Sequence, residues 1–359
     1  MKIIVYPGSF DPIHNGHLLI ARHAKREIGA DLVLFLLSPS TVWKKVQTTF
    51  NHRANMIKAV LNEKGFELSR IEEGNEGKLN YTYVSIETLK NQYPDAKLYL
   101  LLGEDQAMAF NEWKKPEKIA EQAQILVYRR QGSRVSNENF NHFKMLEITG
   151  PLSATSSSKV RNFESIDVPS IVLDYIGANK LYFAGHIAKR MSDERYYHSL
   201  SVANLSRLIA IANDVDPLKA YKAGLFHDIG KEVPDAKSYE IMQEHFHKYI
   251  NMPPWSHHQF IGAYLMNKEY LETDKKLLDA VKYHATGNKK MSKLGKVIYA
   301  ADKIEPSRGF DSREYIAECV KDIEKGFVIV LAANKKYLEK HGKDIDNPLT
   351  KACFDRYLK

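Results

Sequence analysis

The sequence is poor in cysteine and has no long apolar run. Cys319 and Cys353 are the only cysteines among 359 residues, too few to frame a set of disulfides, which predicts a protein of the reducing cytoplasm. The longest apolar runs, residues 32–37 and 327–333, are far shorter than the roughly 20 residues of a membrane span. The N-terminus opens on a strand-like segment with no export signal. We therefore expect a soluble cytoplasmic protein without catalytic thiol chemistry.

Signatures of nucleic-acid binding are also missing. No basic arm, zinc-finger spacing or aromatic RNA-binding motif is present. The formal charge of +8 results from 52 basic and 44 acidic residues spread along the whole chain. A diffuse excess of this kind favours anionic small molecules over a nucleic acid. We expect phosphorylated substrates and neither nucleic-acid nor membrane partners, and a homo-oligomer is left open.

Two patterns of apolar residues divide the chain. The first half alternates short apolar runs with helix-like stretches such as 18–27, which predicts a parallel α/β sheet. The second half contains only helical spacing, for example at 277–284. We predict an α/β domain over residues 1–185 and an all-α domain over residues 186–359. The apolar runs predicted as strands are residues 3–6, 32–37, 97–102 and 125–128.

The loop after the first predicted strand has the composition of a phosphate-binding site. It reads Gly8-Ser9-Phe10-Asp11-Pro12-Ile13-His14-Asn15-Gly16-His17. Gly8 lets backbone N–H groups approach phosphate oxygens, and the helix that follows directs its positive end at the same anion. His14 and His17 lie at the carboxyl end of a predicted parallel strand. Both imidazoles can therefore stabilise charge that develops on one transferring phosphorus.

This loop, with its His-x-Gly-His core, resembles the signature of the nucleotidyltransferase superfamily, and within it the nicotinate-nucleotide adenylyltransferases. A second family signature, a Ser/Thr-rich turn before an aliphatic residue and an arginine, is present at residues 155–161. The resemblance covers residues 1–185 and implies a Rossmann-like domain in which two clamps hold ATP. An adenylyl group then passes to nicotinate mononucleotide, and pyrophosphate leaves. The residues implied for ATP and phosphate are Gly8, Ser9, Phe10, His14, His17, Asp105, Ser157, Ser158 and Arg161, of which His14, His17 and Arg161 are implied to be catalytic.

The same resemblance implies a subsite for the mononucleotide. Asp105, after a predicted strand, and Trp113 are similar to a family segment in which the aspartate contacts a ribose and the tryptophan stacks near the pyridine ring. Mg²⁺ bound with ATP would offset charge during in-line attack on the α-phosphorus. The residues implied for the mononucleotide are Lys44, Arg53, Tyr81, Thr82 and Trp113.

The second half contains histidines and aspartates that suit a metal site. His227 and Asp228 are adjacent at the end of an apolar helical stretch, and the other candidates lie on four further predicted helices. Nitrogen and oxygen donors without cysteine favour one or two hard or borderline metal ions such as iron, with Mn²⁺ as the alternative. The candidate ligands are His198, His227, Asp228, His258, His284 and Asp302.

These ligands and their surroundings resemble the HD-domain phosphohydrolases, in the branch of the symmetrical diadenosine tetraphosphate hydrolases. The resemblance runs over residues 186–330 and implies that a metal-activated water attacks a phosphorus of a dinucleoside polyphosphate. Diadenosine tetraphosphate would give two ADP. Lys231 is implied to stabilise charge on the phosphate. The segments that carry the resemblance are residues 195–200, 224–231, 258–263 and 301–306.

Alternatives remain for both halves. Pro7 stands where nicotinate enzymes usually have glycine, and the opening at residues 6–12 is also similar to pantetheine-phosphate adenylyltransferases. His14, where those enzymes usually have threonine, favours the nicotinate branch. The second half is alternatively a phosphodiesterase for another nucleotide or a non-catalytic nucleotide-sensing module. The sequence leaves open whether the acceptor is the acid or the amide, which metals bind, and whether the halves are coupled.

Overall fold

The computed structural model describes residues 1–40, 46–130, 138–151, 153–343 and 345–358. It separates the chain into two compact units, Met1–Phe183 and Ala184–Lys359. Among the described helices, none has both the length and the apolar character that crossing a membrane requires.

Unit 1, residues Met1–Phe183, contains the predicted parallel sheet. Six strands, all paired in parallel, follow the order β3-β2-β1-β4-β5-β6. The order reverses between β1 and β4, and in such sheets ligands bind at the carboxyl ends of the strands beside this point. The strands are β1 Lys2–Gly8, β2 Leu32–Leu37, β3 Phe66–Ser69, β4 Lys97–Gly103, β5 Ala123–Arg130 and β6 Leu146–Gly150.

The four strands predicted from apolar runs form the centre of this sheet. Every residue of β2 is buried, as expected for a strand covered by helices on both faces. The two edge strands, β3 and β6, were not predicted from the sequence. Each of them has a single buried residue, so neither has the continuous apolar run of a central strand.

Helices connect the strands of unit 1. The described helices between β1 and the end of the unit are α1 Asn15–Ile28, α2 Phe50–Val60, α3 Thr82–Gln92, α4 Glu104–Met108, α5 Pro116–Gln122, α6 Glu138–His142, α7 Ser157–Arg161 and α8 Ser170–Ala178. One face of the sheet packs on a cluster that includes Val5, Leu34, Leu100 and Phe110. The core thereby fixes the strand ends on which the loops of the site stand.

Unit 2, residues Ala184–Lys359, is helical, and no strand occurs in its described residues. The all-α prediction is confirmed. One predicted element is wrong in detail: the helix expected to carry His284 ends at Lys282, and His284 lies in the turn that follows. The helices are α9 Phe183–Ala188, which begins at the last residue of unit 1, α10 Asp193–Ala212, α11 Pro217–Phe226, α12 Asp235–His245, α13 His257–Lys268, α14 Lys275–Lys282, α15 Lys293–Ile304, α16 Arg313–Lys321, α17 Ile323–Lys340 and α18 Pro348–Tyr357.

A close helix crossing sets the position of the His227-Asp228 pair. A Cβ added at Gly224 on α11 would lie 2.7 Å from the Cα of Ala203 on α10. Only glycine fits this approach, because the obstructing atoms belong to a backbone. The crossing therefore fixes the C-terminal end of α11, where His227 follows.

We expect Gly224→Ala to destabilise unit 2 by about 1–3 kcal/mol, since overpacking forces helices apart. Thermal unfolding should show the loss as a lower melting temperature. Gly295→Ala is the matched control, because its new Cβ would meet only side-chain atoms, at 3.4 Å or more. Equal melting temperatures for the two variants would contradict the close crossing.

Candidate active sites

The first site begins where β1 ends. A Cβ at Gly8 would come within 2.7 Å of the ring of Phe10, so glycine is needed to seat that ring. Phe10 itself is buried and has a φ of 43°. Its side chain is therefore part of the support beneath the loop, and any contact of Phe10 with phosphate is limited to its backbone.

The structure brings His14 and His17 together at the start of α1. Their rings stack with centroids 3.6 Å apart, and the backbone N–H of His14 donates to Nδ1 of His17 at 3.2 Å. The proton of a neutral His17 is consequently on Nε2, which makes that atom a donor. Burial lowers the pKa of His14 to about 4, against the opposing charge of Asp167. His14 is therefore neutral at physiological pH.

The second predicted clamp contacts the first loop. Ser157 opens α7 and donates from Oγ to the carbonyl oxygen of Pro12 at 2.9 Å. Arg161, at the end of the same helix, donates from Nη1 to the carbonyl oxygen of Asp11 at 2.6 Å. Ser158 bonds to the hydroxyl of Ser156 at 2.9 Å. The residues of the two signatures thus meet through the backbone of residues 11 and 12.

Arg53 has a different place from the predicted one. It was expected to contact the mononucleotide, but its side chain is fully buried. Its Nη1 donates to the carbonyl oxygens of Ser9 at 2.7 Å and Ser38 at 2.6 Å. The guanidinium joins the chain segments that follow β1 and β2. Arg53 therefore stabilises these segments of the site from the protein interior.

A cleft of about 790 Å³ lies beside these loops at the carboxyl ends of β1, β2 and β4. Asp105 lines a separate cavity of about 190 Å³, and Lys44 lies outside the described residues. Sequence reasoning missed Glu72, a buried carboxyl on the cleft wall that accepts from Ser85 Oγ at 2.5 Å and whose pKa is raised by burial. The predicted residues that line the large cleft are Gly8, Ser9, Tyr81, Thr82 and Trp113.

The second site gathers all six predicted metal ligands of unit 2. Asp302 Oδ1 lies 3.3 Å from His198 Nε2 and 3.6 Å from His227 Nε2. The ligands form three sets of three residues, and within each set the ligand atoms lie within 4.8 Å of one another. Asp228 belongs to two of these sets, with Oδ1 at 3.4 Å from His258 Nε2 and 3.5 Å from His284 Nε2. Asp228 is thus placed to bridge two ligand groups.

Outer hydrogen bonds orient the four imidazoles. In His227, His258 and His284, Nδ1 donates to the carbonyl oxygen three residues earlier, at 2.7, 2.8 and 2.7 Å. His198 Nδ1 lies 3.0 Å from Glu305 Oε1. A proton held on Nδ1 leaves the Nε2 lone pair free, as metal-binding histidines require. Sequence reasoning missed Glu305, although it follows Asp302 by three residues.

A cation fits this arrangement. Asp228 Oδ1 and His227 Nε2 are buried and lack a hydrogen-bond partner within the described part of the chain. The Nε2 atoms of His258 and His284 are 3.1 Å apart, and two lone pairs at this distance repel each other. Buried polar atoms without a partner are costly. A metal ion ligated by these atoms removes both problems.

Three positively charged side chains and three carboxylates, those of Glu194, Asp228 and Glu305, line a cavity at this centre. The cavity has a volume of about 580 Å³ and includes His198 and Asp228 in its wall. Lys231 Nζ and Arg195 Nη1 both donate to Asp228 Oδ2, at 2.7 and 2.9 Å. Arg308 also lines the cavity and donates from Nε to the carbonyl oxygen of Asp302 at 2.6 Å. The cavity therefore suits a phosphate chain.

Comparison with known proteins assigns both halves. A model of the family described as Cytidylyltransferase-like matches residues 5–163, and one described as HD domain matches residues 195–307. The protein named probable nicotinate-nucleotide adenylyltransferase in Borrelia hermsii is 32% identical over 193 residues, which cover 52% of this chain and 100% of that protein. This chain belongs to the nicotinate-nucleotide adenylyltransferase family. It also carries an HD domain.

Two relatives match this chain over nearly its whole length. The protein named probable nicotinate-nucleotide adenylyltransferase/Ap4A hydrolase in Mycoplasma genitalium is 29% identical over 356 residues, which cover 96% of this chain and 99% of that protein. Its counterpart in Mycoplasma pneumoniae is 26% identical and covers 91% of this chain. This member of the adenylyltransferase family is therefore similar, along nearly its whole length, to proteins that are named for two activities.

Proposed function

We propose that unit 1 transfers an adenylyl group from ATP to nicotinate mononucleotide. The observation that carries this proposal is the contact between the two phosphate clamps: Ser157 and Arg161 bond to the same loop that presents the stacked His14 and His17. Membership of the adenylyltransferase family supports it. The products are nicotinate adenine dinucleotide and pyrophosphate.

The chain's own groups act by position and hydrogen bonding. A phosphate oxygen of the mononucleotide attacks the α-phosphorus of ATP in line, and the bond to the β-phosphate oxygen breaks as pyrophosphate leaves. His17 donates from Nε2 and Arg161 adds positive charge, so that both stabilise charge on the phosphates in the transition state. Mg²⁺ brought with ATP supplies further neutralisation when bound. No protein nucleophile is needed.

The acid, rather than the amide, is the acceptor that the cleft favours. Tyr81 and Thr82 line the cleft where α3 begins, and the N-terminus of a helix attracts an anion through its positive end. Trp113 lines the same cleft and offers an aromatic face to a pyridine ring. A carboxylate on the ring is therefore attracted to the N-terminus of α3 more strongly than a neutral amide is.

Turnover with three acceptors tests the proposal. The full-length protein is assayed with ATP and nicotinate mononucleotide, nicotinamide mononucleotide or phosphopantetheine. We expect kcat/KM to be highest for the nicotinate compound, with pyrophosphate as coproduct. Preference for phosphopantetheine would favour the alternative that residues 6–12 also suggest.

We further propose that unit 2 hydrolyses diadenosine tetraphosphate to two ADP. The observation that carries it is the joint placement of the ligand centre with Arg195, Lys231 and Arg308 around one 580 Å³ cavity. Three positive side chains match a polyphosphate better than a monophosphate. The Mycoplasma relatives are named for this activity.

The residues divide the chemistry between ligation and charge stabilisation. His198, His227 and Asp302 would hold one metal, His258 and His284 would hold a second, and Asp228 would bridge them. We propose iron, with Mn²⁺ as the alternative, because the donors are nitrogen and oxygen without cysteine. When bound, the metal supplies an activated water for attack on phosphorus. Lys231 and Arg195 hold Asp228 in place and face the phosphates.

Product analysis tests the hydrolase proposal. We expect the metal-loaded full-length protein to convert diadenosine tetraphosphate into ADP alone. Release of ATP together with AMP would show asymmetric cleavage and contradict it. Tight binding without turnover of any dinucleoside polyphosphate would instead favour a nucleotide-sensing module.

The cysteines support a cytoplasmic location for both reactions. Cys319 and Cys353 are buried free thiols in unit 2. Burial raises the pKa of Cys319 to about 12 and that of Cys353 to about 11, so neither is a reactive thiolate. We therefore propose that the protein works in the reducing cytoplasm without thiol chemistry.

A further inference from the structure

The last two residues of unit 1 contact the first phosphate clamp and a residue that closely follows the second. The hydroxyl of Tyr182 donates to Asp11 Oδ1 at 2.7 Å, across 171 positions of sequence. The ring of Phe183 stacks on the ring of Phe163, with centroids 3.9 Å apart and an angle of 7° between the planes. Asp11 belongs to the first loop, and Phe163 follows Arg161 by two residues. One dipeptide therefore contacts the first clamp directly and reaches the second through Phe163, whose backbone N–H donates to the carbonyl oxygen of Val160 at 3.1 Å.

Asp11 is the point where these contacts converge. It is buried, and its second carboxylate oxygen accepts from the backbone N–H of Gln47 at 2.8 Å. Its carbonyl oxygen accepts from Arg161. Burial and the neighbouring carboxylate raise the pKa of Tyr182 above its ordinary value, so that the hydroxyl remains a donor at physiological pH. Removing that hydroxyl would leave a buried carboxylate oxygen without its partner.

Three residues at or next to these contacts have a left-handed backbone conformation. Phe10, Phe163 and Tyr182 have φ values of 43°, 60° and 53°. Bulky side chains rarely adopt this left-handed region, and such strain persists only where packing enforces it, often at functional sites. All three residues are buried. The packing of each aromatic side chain therefore holds a strained segment next to a clamp.

We propose that Tyr182 and Phe183 are positioning residues of the adenylyl-transfer site. They hold the loop of His14 and the helix of Arg161 in a fixed position relative to each other. We assign neither residue a contact with a reacting atom. Tyr182 acts through Asp11, and Phe183 acts through Phe163. The expected effect on kcat rests on the proposed adenylyl transfer. The expected effect on amide hydrogen exchange in the loop rests on the structure alone.

The kinetic test uses Tyr182→Phe in the full-length protein. We expect kcat for adenylyl transfer to fall about 10-fold, because small misplacements of reacting groups are costly, while KM for nicotinate mononucleotide changes less than about threefold. Tyr175→Phe is the matched control. Its hydroxyl also makes side-chain hydrogen bonds, to His52 at 2.9 Å and Asn55 at 3.1 Å on α2, but contacts neither clamp in the described residues.

A double-mutant cycle with Asp11→Asn identifies the path. If Tyr182 acts through Asp11, Tyr182→Phe combined with Asp11→Asn should be no slower than the slower single variant. Amide hydrogen exchange gives a readout that needs no turnover: residues 9–17 should exchange faster in Tyr182→Phe than in Tyr175→Phe. In Phe183→Leu, residues 157–163 should exchange faster than they do in Tyr175→Phe.

The outcomes separate the two proposals. Failure of the wild-type protein to adenylylate any acceptor would overturn the proposed function, whereas the exchange experiment would still test the anchoring. Tyr182→Phe and Tyr175→Phe with equal kcat, or with equal exchange in residues 9–17, would overturn the positioning role. Additive rate losses in the double variant would overturn the path through Asp11.

Discussion

Asp228→Asn is expected to abolish hydrolysis of diadenosine tetraphosphate, with a loss of about 10³-fold or more in kcat, since metal centres supply several kcal/mol of transition-state stabilisation. Asp228 is the carboxylate that belongs to two of the three ligand sets, and the amide that replaces it lacks the negative charge and the second oxygen ligand. Lys231 and Arg195 would lose their common partner at the same time. Elemental analysis should show that bound metal falls in parallel with activity.

Asp235→Asn is the control for this experiment. It removes the same charge from the same unit at an exposed position in the first turn of α12. We expect this variant to keep its metal and its rate. Full metal content in Asp228→Asn would contradict the bridging role. An unchanged hydrolysis rate would place the hydrolytic centre elsewhere.

His17→Ala is expected to lower kcat for adenylyl transfer by about 10²–10³-fold, the usual loss when one donor to a developing charge is removed. The reason is the tautomer: because His17 Nδ1 accepts from the backbone of His14, the proton that His17 can donate to a phosphate is on Nε2. KM for the mononucleotide should change little, since the cleft that would bind it is lined by Tyr81, Thr82 and Trp113.

His142→Ala provides the comparison for His17. His142 is an exposed histidine on α6 of the same unit, so its removal tests the effect of losing any imidazole. Steady-state rates of pyrophosphate release would distinguish the two variants. Equal losses, or no loss in His17→Ala, would remove His17 from the site.

The sequence predicted the elements whose signal is local. Central strands such as β2 are recognisable in the sequence because every residue is apolar. The ligands of unit 2 are recognisable because the histidines and aspartates, with their flanking residues, repeat a family pattern. Edge strands β3 and β6 lack that signal, since most of their residues are not buried. The turn of His284 was not predicted because the helical spacing of apolar residues continues past Lys282, where α14 ends.

The supporting residues of the first site could not be predicted in this way. Arginine is usually an exposed residue. Only the three-dimensional packing shows that Arg53 is buried and bonded to Ser9 and Ser38. The pairing of Asp11 with Tyr182 joins residues 171 positions apart, and no periodicity or motif within one segment encodes it. Long-range contacts that hold a site together are properties of the fold.

The central claim is that one chain carries two separate chemical sites, one for adenylyl transfer and one for hydrolysis. The most direct test incubates the wild-type protein, His17→Ala and Asp228→Asn with ATP, nicotinate mononucleotide and diadenosine tetraphosphate in one tube, and follows pyrophosphate and ADP by phosphorus NMR. The account predicts both products from the wild type, ADP at the wild-type rate with pyrophosphate about 10²–10³-fold slower from His17→Ala, and pyrophosphate without ADP from Asp228→Asn. Loss of both products in either variant, or their absence in the wild type, would contradict it.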